Sequence, residues 1–296
     1  MPSTVADLLG ILDLMPAGAD RFVGRQPASS LQRVFGGQVA AQALTAATST
    51  VPEREPGSTP VVHSLHAYFL RPGQTGKPIA YEVERMRDGR AFATRRVQAS
   101  QDDVPIFVSI VSFHVPEAGF AHADVMPDVP PASMCPTLGD ILAGVSGRDP
   151  TAFLAEWDAL EVRYVGDNRP GGVLAPDAHP ARARLWIRTA GDLPADPAVH
   201  ASVLTYASDL TLLGAALVPH GTYIGAPGLL VASIDHAMWF HRPVRADEWM
   251  LYDQISPSAV AGLGFVTGRL FSADGALLAS VAQEGLLRQA GSTSRA

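Results

Sequence analysis

The chain is poor in several things, and each scarcity narrows its class. It has one cysteine, Cys135, among 296 residues. No intrachain disulfide and no multi-cysteine metal site can form, and neither a metal nor a cofactor is expected. Charge is sparse too: charged residues make up 17% of the chain, 22 basic against 29 acidic, for a net charge of −7. That balance argues against a nucleic-acid partner, while a local cationic pocket stays open. No apolar run approaches the ~18–20 residues that span a bilayer, so no membrane span is expected. The first residues carry Asp7 and Asp13 and no basic leader, unlike a secretory signal. The last three, Ser294-Arg295-Ala296, are not the Ser-Lys-Leu address. A cytoplasmic chain is therefore expected. What the sequence does have is a 47% apolar composition, enough to bury a large core at this length.

Glycine (27) and proline (24) cut the chain into short segments, which favours strands and turns. Residues 37–49 break the pattern. They are alanine-rich, follow Gly36-Gly37 and hold no proline, so a helix is expected there. Four strand-like runs follow at His63–Arg71, Pro78–Arg87, Ala91–Ser100 and Ile106–Val115, and an earlier strand is expected near Arg21–Gln26. Turn chemistry joins the runs: Arg71-Pro72-Gly73, Asp88-Gly89 and Gln101-Asp102-Asp103. Residues 118–180 are rich in proline and read as a linker, with short helices near Leu138–Gly144 and Thr151–Trp157 and a short strand at Glu161–Val165.

The order then recurs. Ala183–Thr189 is strand-like, Ala198–Leu217 is helical, and strand-like runs follow at Leu229–Phe240, Glu248–Ile255, Gly264–Phe271 and Leu277–Leu287. Single residues repeat as well. Tyr68-Phe69-Leu70-Arg71-Pro72 corresponds to Trp239-Phe240-His241-Arg242-Pro243, at an offset of 171. Ala91–Val97 corresponds to Gly264–Leu270 at 173. Three units follow: 1–117, a first repeat; 118–180, the linker; and 181–296, a second repeat. One helix per repeat must lie against its own antiparallel sheet to bury its apolar face. The expected class is α+β: a tandem, or double, hotdog, each half a curved antiparallel sheet wrapped around one central helix.

Long motifs in this order resemble the acyl-CoA thioesterase II family. They are Arg33-Val34-Phe35-Gly36-Gly37-Gln38-Val39, the stretch from Val62-His63-Ser64-Leu65-His66 to Arg87-Asp88-Gly89-Arg90, Ala207-Ser208-Asp209-Leu210, Ile234-Asp235-His236-Ala237-Met238-Trp239-Phe240-His241-Arg242-Pro243 and Ala279–Gly285. The resemblance covers nearly all of the chain outside the linker and tails. It implies a double hotdog that hydrolyses medium- to long-chain fatty acyl-CoA to fatty acid and CoA. It also implies a catalytic trio, carried here by Asp209, Ser233 and Gln283, with serine where some members have threonine.

The same residues can be read without the family. Asp209 has Tyr206, Leu212 and Leu213 as helical neighbours, so its carboxylate sits at the edge of an apolar face. Such a group either reaches water or has partners and a task. Gln283 shares a strand face with Leu277, Ala279, Val281 and Leu287, where an amide needs hydrogen bonds. Ser233 alone says little. In the first repeat Val62 stands opposite Ser233 and Ile110 opposite Gln283, and the helix match sets Gln38 against Asp209. An active second half and a structural first half would produce that asymmetry. In the expected chemistry Asp209 activates a water while Ser233 and Gln283 orient it; direct attack by the carboxylate is the alternative.

Gly36 and Gly37 permit close backbone approach and are candidates for binding substrate. Arg71 and Arg242, with Arg87, Arg95 and Arg96, are candidates for the CoA phosphates. A serine hydrolase would want a Gly-x-Ser-x-Gly elbow, and the sequence has none. Ser233 and His236 fall on opposite faces of a continuous strand, as do His63 and His66, so neither pair is expected to act together. His220, His236 and His241 read as structural. The competing reading is a non-catalytic acyl-CoA or lipid-binding protein on the same scaffold. Acyl-CoA is the expected partner in either case, and exposed sheet edges suggest a homodimer or higher oligomer.

Overall fold

The computed structural model describes residues 1–29, 31–52, 55, 57–137, 139–141, 157–168 and 181–289. The helices expected near 138–144 and 151–157 fall largely outside these. Helix α1 (Val5–Leu12) is not foreseen by the glycine and proline punctuation. Its signal is a reciprocal capping box: the Thr4 hydroxyl accepts from the Asp7 N–H at 3.0 Å, and the Asp7 carboxylate accepts from the Thr4 N–H at 3.1 Å. A short hairpin, β1 (Met15–Gly18) and β2 (Arg21–Gly24), supplies the early strand.

Helix α2 (Gly36–Thr48) lies within one residue of expectation. Ten of its residues are buried, which suits its alanine content: small side chains let neighbours approach from all sides. Its N-cap is Phe35, whose carbonyl accepts from the Gln38 and Val39 N–H groups but which offers no side-chain acceptor for those of Gly36 and Gly37. Helix α3 (Pro197–Ser208) starts differently. The Asp196 carboxylate accepts from the Ala198 N–H at 2.9 Å, and Pro197 has no N–H to satisfy. The two helices pack together. Thr45 donates to Ser202 at 3.1 Å, Ala41 joins the core of the second half, and Ala201 joins that of the first.

The continuous helix expected over 198–217 is not observed. Asp209 ends α3, and the chain resumes as a buried 3-10 segment, Leu212–His220. The stretch Pro197–His220 is long and apolar enough to cross a membrane by composition alone, contrary to the expected absence of such a run. Here the α-helix stops before Asp209, and the stretch is largely buried in the core.

The remaining strands are β3 (Val61–Phe69), β4 (Ile79–Asp88), β5 (Phe92–Gln101), β6 (Val104–His114), β7 (Leu160–Asp167), β8 (Arg182–Thr189), β9 (Leu229–Ser233), β10 (Asp235–Phe240), β11 (Met250–Val260), β12 (Leu263–Ser272) and β13 (Leu277–Gln289). They form one antiparallel sheet in the order β1-β2-β4-β5-β6-β3-β10-β13-β12-β11-β8-β7, with β9 also paired to β13. Outward from the centre, one side runs β3-β6-β5-β4-β2 and the other β10-β13-β12-β11-β8, with the same connectivity. At the central seam His66 pairs with Ala237, the residue 171 positions further on. The strand order is thus the same going outward on either side of that pair. The hairpin turns follow their residues: Asp102 and Asp103 both have positive φ, 49° and 61°, as a two-residue turn of this hand requires.

Candidate active site

The packing of α2 on α3 brings the start of one helix against the end of the other. Gly36 and Gly37 are required there. A Cβ on Gly37 would lie 2.4 Å from the Tyr206 carbonyl oxygen, and one on Gly36 would lie 2.7 Å from Asp209 Oδ2 and 2.9 Å from the Phe69 ring. Both glycines thus face the candidate site. Phe35 completes the contact, its ring edge-on to Tyr206 at 5.1 Å.

Asp209 stands at the C-terminal end of α3, where the helix dipole disfavours a negative charge. Across the crossing it meets the positive end of α2, where the nearby Gly37 N–H favours its anionic form. The sheet contributes the other two groups. Ser233, at the end of β9, donates to Asp209 Oδ1 at 3.1 Å. Gln283, on the inner face of β13 and fully buried, donates to Asp209 Oδ1 at 2.5 Å and to Ser233 Oγ at 2.8 Å. The trio is therefore a closed triangle of hydrogen bonds. Burial pushes the Asp209 carboxyl above the usual carboxylate range, and His236, Gln283, Ser233 and the Gly37 N–H pull it back down.

The match of Gln38 to Asp209 does not hold. Gln38 lies in the first turn of α2, whereas Asp209 follows the last turn of α3. The helices do not keep the offset of the strands. His236 is a second correction. The run 229–240 is interrupted at Ile234, whose N–H goes to the Glu284 carbonyl while its own carbonyl accepts from the Phe69 N–H. The two strands are thus offset, and His236 turns inward, buried 2.9 Å from Ser208 Oγ. Burial holds its imidazole below the ordinary value, against the pull of Asp209 and Asp235.

The arginines are engaged elsewhere. Arg71 donates to the Pro105 carbonyl at 2.8 Å and Arg242 to the Leu277 carbonyl at 2.7 Å, equivalent clamps in the two halves. Arg96 faces Glu84 at 3.5 Å, and the Arg87 guanidinium lies over the Phe92 ring. Arg95 is excluded as a phosphate ligand. It is fully buried, bonded to Asp88, Thr50 and main-chain carbonyls. Among the described residues, no group of three His, Cys, Asp or Glu is placed to hold a metal ion.

A cavity of about 490 Å³ is lined by Leu210, Thr211 and Val218, which follow Asp209 in the chain, and by Leu160, Val162 and Leu185 of the sheet; Asp209, Ser233 and Gln283 are not among its lining residues. Its lining is mostly apolar, and its size falls within the roughly 300–1,000 Å³ of small-molecule sites.

Fold and site together define a hotdog-fold protein with a candidate hydrolytic centre. A hotdog-fold protein of Alicyclobacillus acidocaldarius, 21% identical, shares the fold at a TM-score of 0.75, over 94% of this chain and 97% of its own. Residues 151–286 match the acyl-CoA thioesterase profile, and residues 25–114 that of the acyl-CoA thioesterase N-terminal domain. The chain is 37% identical to acyl-CoA thioesterase 2 of Haemophilus influenzae, over 97% of this chain and 99% of that one. It is 41% identical to the acyl-CoA thioesterase II TesB2 of Mycobacterium marinum, whose crystal structure superimposes with a TM-score of 0.79 over 95% of this chain and 98% of that one. The chain belongs to the acyl-CoA thioesterase family.

Proposed function

We propose that this chain hydrolyses medium- to long-chain fatty acyl-CoA thioesters to fatty acid and CoA, on a scaffold of two hotdog repeats in tandem. The observation that carries the reading is the closed triangle of Asp209, Ser233 and Gln283 at the uncapped start of α2. The matching strand connectivity of the halves supports the tandem repeat. Asp209 is the base: it takes a proton from water as the water attacks the thioester carbonyl. Ser233 and Gln283 hold the carboxylate and water in line; an amide can orient and donate but not deprotonate. The positive end of α2 faces the negative charge that develops on the carbonyl oxygen. The mostly apolar cavity whose lining includes Leu210, the residue after Asp209, is the place proposed for the acyl chain.

Thiol release from acyl-CoAs of graded length, by wild type and Asp209→Asn side by side, tests this reading. Turnover that falls by about 10²-fold or more in the variant is expected. Acyl-CoA binding with no wild-type turnover at any length would instead leave a binding protein. An acyl-enzyme anhydride trapped during turnover would replace water attack by direct attack of the carboxylate.

A further inference from the structure

The cavity proposed for the acyl chain is not wholly apolar. Gln254, on β11, lines it and is 1% exposed. Its Nε2 donates to Thr211 Oγ1 at 2.7 Å, and Thr211 lines the cavity as well. The other end of the amide, Oε1, is buried with no hydrogen-bond partner among the described residues.

The first half shows that the scaffold does not require an amide at this position. Tyr81 and Tyr252 stand 171 positions apart, both fully buried, and each sends its hydroxyl toward a helix. Tyr81 donates to Gln42 Oε1 at 2.7 Å, and Tyr252 to the Ser208 carbonyl at 2.9 Å. Two residues on from each, on the same strand face, come Val83 and Gln254. Val83 packs into an apolar cluster. The half that carries Asp209 has an amide there instead. An unmade hydrogen bond at a buried acceptor is costly, so an orphan kept in a cavity wall points to a guest that completes it.

We propose that Gln254 and Thr211 form a polar subsite for an acyl chain that carries a hydroxyl group in mid-chain. A hydroxyl both donates and accepts. It gives its proton to Gln254 Oε1 and can take one from the Thr211 hydroxyl. With the amide turned over, Thr211 would donate to Oε1 and Nε2 would face the guest. A hydroxyl satisfies that arrangement too, and a plain alkyl chain satisfies neither. The position along the chain follows from strand register. Gln283 pairs with Val266, and Gly268, two residues on, pairs with Gln254. Gln254 therefore lies two strands across and two residues along from the trio. That is roughly 12 Å over the sheet, at about 4.8 Å per strand and about 3.4 Å per residue. The span sets the hydroxyl well beyond the carbons next to the thioester.

The inference rests on the hydrolytic reading, and its test separates the two. Wild type, Gln254→Met and Gln254→Val are compared on saturated acyl-CoAs of one length. The chains carry no hydroxyl, one beside the thioester, one in mid-chain or one at the far end. Methionine keeps the length of glutamine without its acceptor, and valine is the residue of the first half. Wild type should favour the mid-chain hydroxyl over the plain chain by about tenfold or more in kcat/KM, the scale of one buried hydrogen bond. Both variants should reverse that order, losing the hydroxylated substrate and gaining on the plain one. Affinities of the matching thioether analogues, which cannot be hydrolysed, read the same preference without turnover.

Equal kcat/KM on all four chains would mean that water alone satisfies Oε1; it would overturn the subsite and leave hydrolysis intact. So would a preference for the hydroxyl beside the thioester or at the far end, or a mid-chain preference that survives in both variants. No thiol release from any chain would instead sink the hydrolysis, and the thioether affinities would still decide the subsite. Should neither Gln254 variant fold, Thr211→Val frees the amide from its anchor. The mid-chain preference should then flatten, and an undiminished preference counts against the subsite.

Discussion

Asp209 is stabilised by four neighbours, yet burial still dominates and keeps its carboxyl above the ordinary 3.8. The folded chain therefore binds this proton more tightly than the unfolded chain does. Its contribution to stability is present below the unfolded value and is lost as the pH rises through the raised folded one. Asp209→Asn removes that penalty, so at neutral pH this variant should melt above wild type, and the gap should close in acid; calorimetry across pH reads it directly. In the proposed hydrolysis activity has the opposite slope, because there the carboxylate is the working form. The acid limb of kcat/KM should lie above 3.8. Ser233→Ala, which deletes a bond favouring the anion, should move that limb higher still. The glycines make a separable pair. Gly37→Ala meets main chain at 2.4 Å and must part the helices, which costs about 1–3 kcal/mol in denaturant titration. Gly36→Ala meets the Asp209 carboxylate and the Phe69 ring instead, so its loss should show in turnover before stability.

At the level of helices and strands, sequence and structure agree where local chemistry decides. The hairpins at Asp88-Gly89, Asp102-Asp103 and Ala273-Asp274-Gly275 are carried by residues suited to tight turns, and α2 by its alanines and flanking glycines. Agreement fails where a distant partner decides. Nothing near Ile234 signals a break, because its hydrogen bonds go to Glu284 and Phe69. Asp209 ends α3 because its side chain is drawn to Gly37, Ser233 and Gln283, none of them within 20 positions of it. The missed α1 is different: its capping box is local and legible, but the helix is short. Of the candidate site, all three polar residues and both glycines come together, whereas Arg95 turns inward. Arg95 ties β5 to the end of α2 through Thr50 and to the Asp88 carboxylate. Arg95→Ala would leave buried acceptors unmet, each at about 1–3 kcal/mol. A lowered urea midpoint with unchanged turnover per folded molecule is expected.

Over the whole molecule, the seam between β3 and β10 makes one sheet of what would otherwise be two. Each half also inserts an alanine into the core of the other. Neither half can open without exposing its partner, so heating should give a single cooperative transition. Two resolved calorimetric peaks would show that the halves melt independently. The site has the same dependence: its glycines come from the first half and its trio from the second.

The caps of the two helices bear on how many substrates a chain can turn over at once. The proposed tandem repeat offers two such crossings, yet Asp196 and Pro197 close the start of α3, while Phe35 leaves the start of α2 open to Asp209. At the start of α3 the Ala198 N–H is held by Asp196, and the pairing across the seam corrects the match of Ile110 to Gln283: Ile110 is exposed, and the buried Val111 takes the place of Gln283. In stoichiometric terms the proposed site is single, one per chain. A non-hydrolysable thioether analogue of acyl-CoA should saturate it at one equivalent per chain.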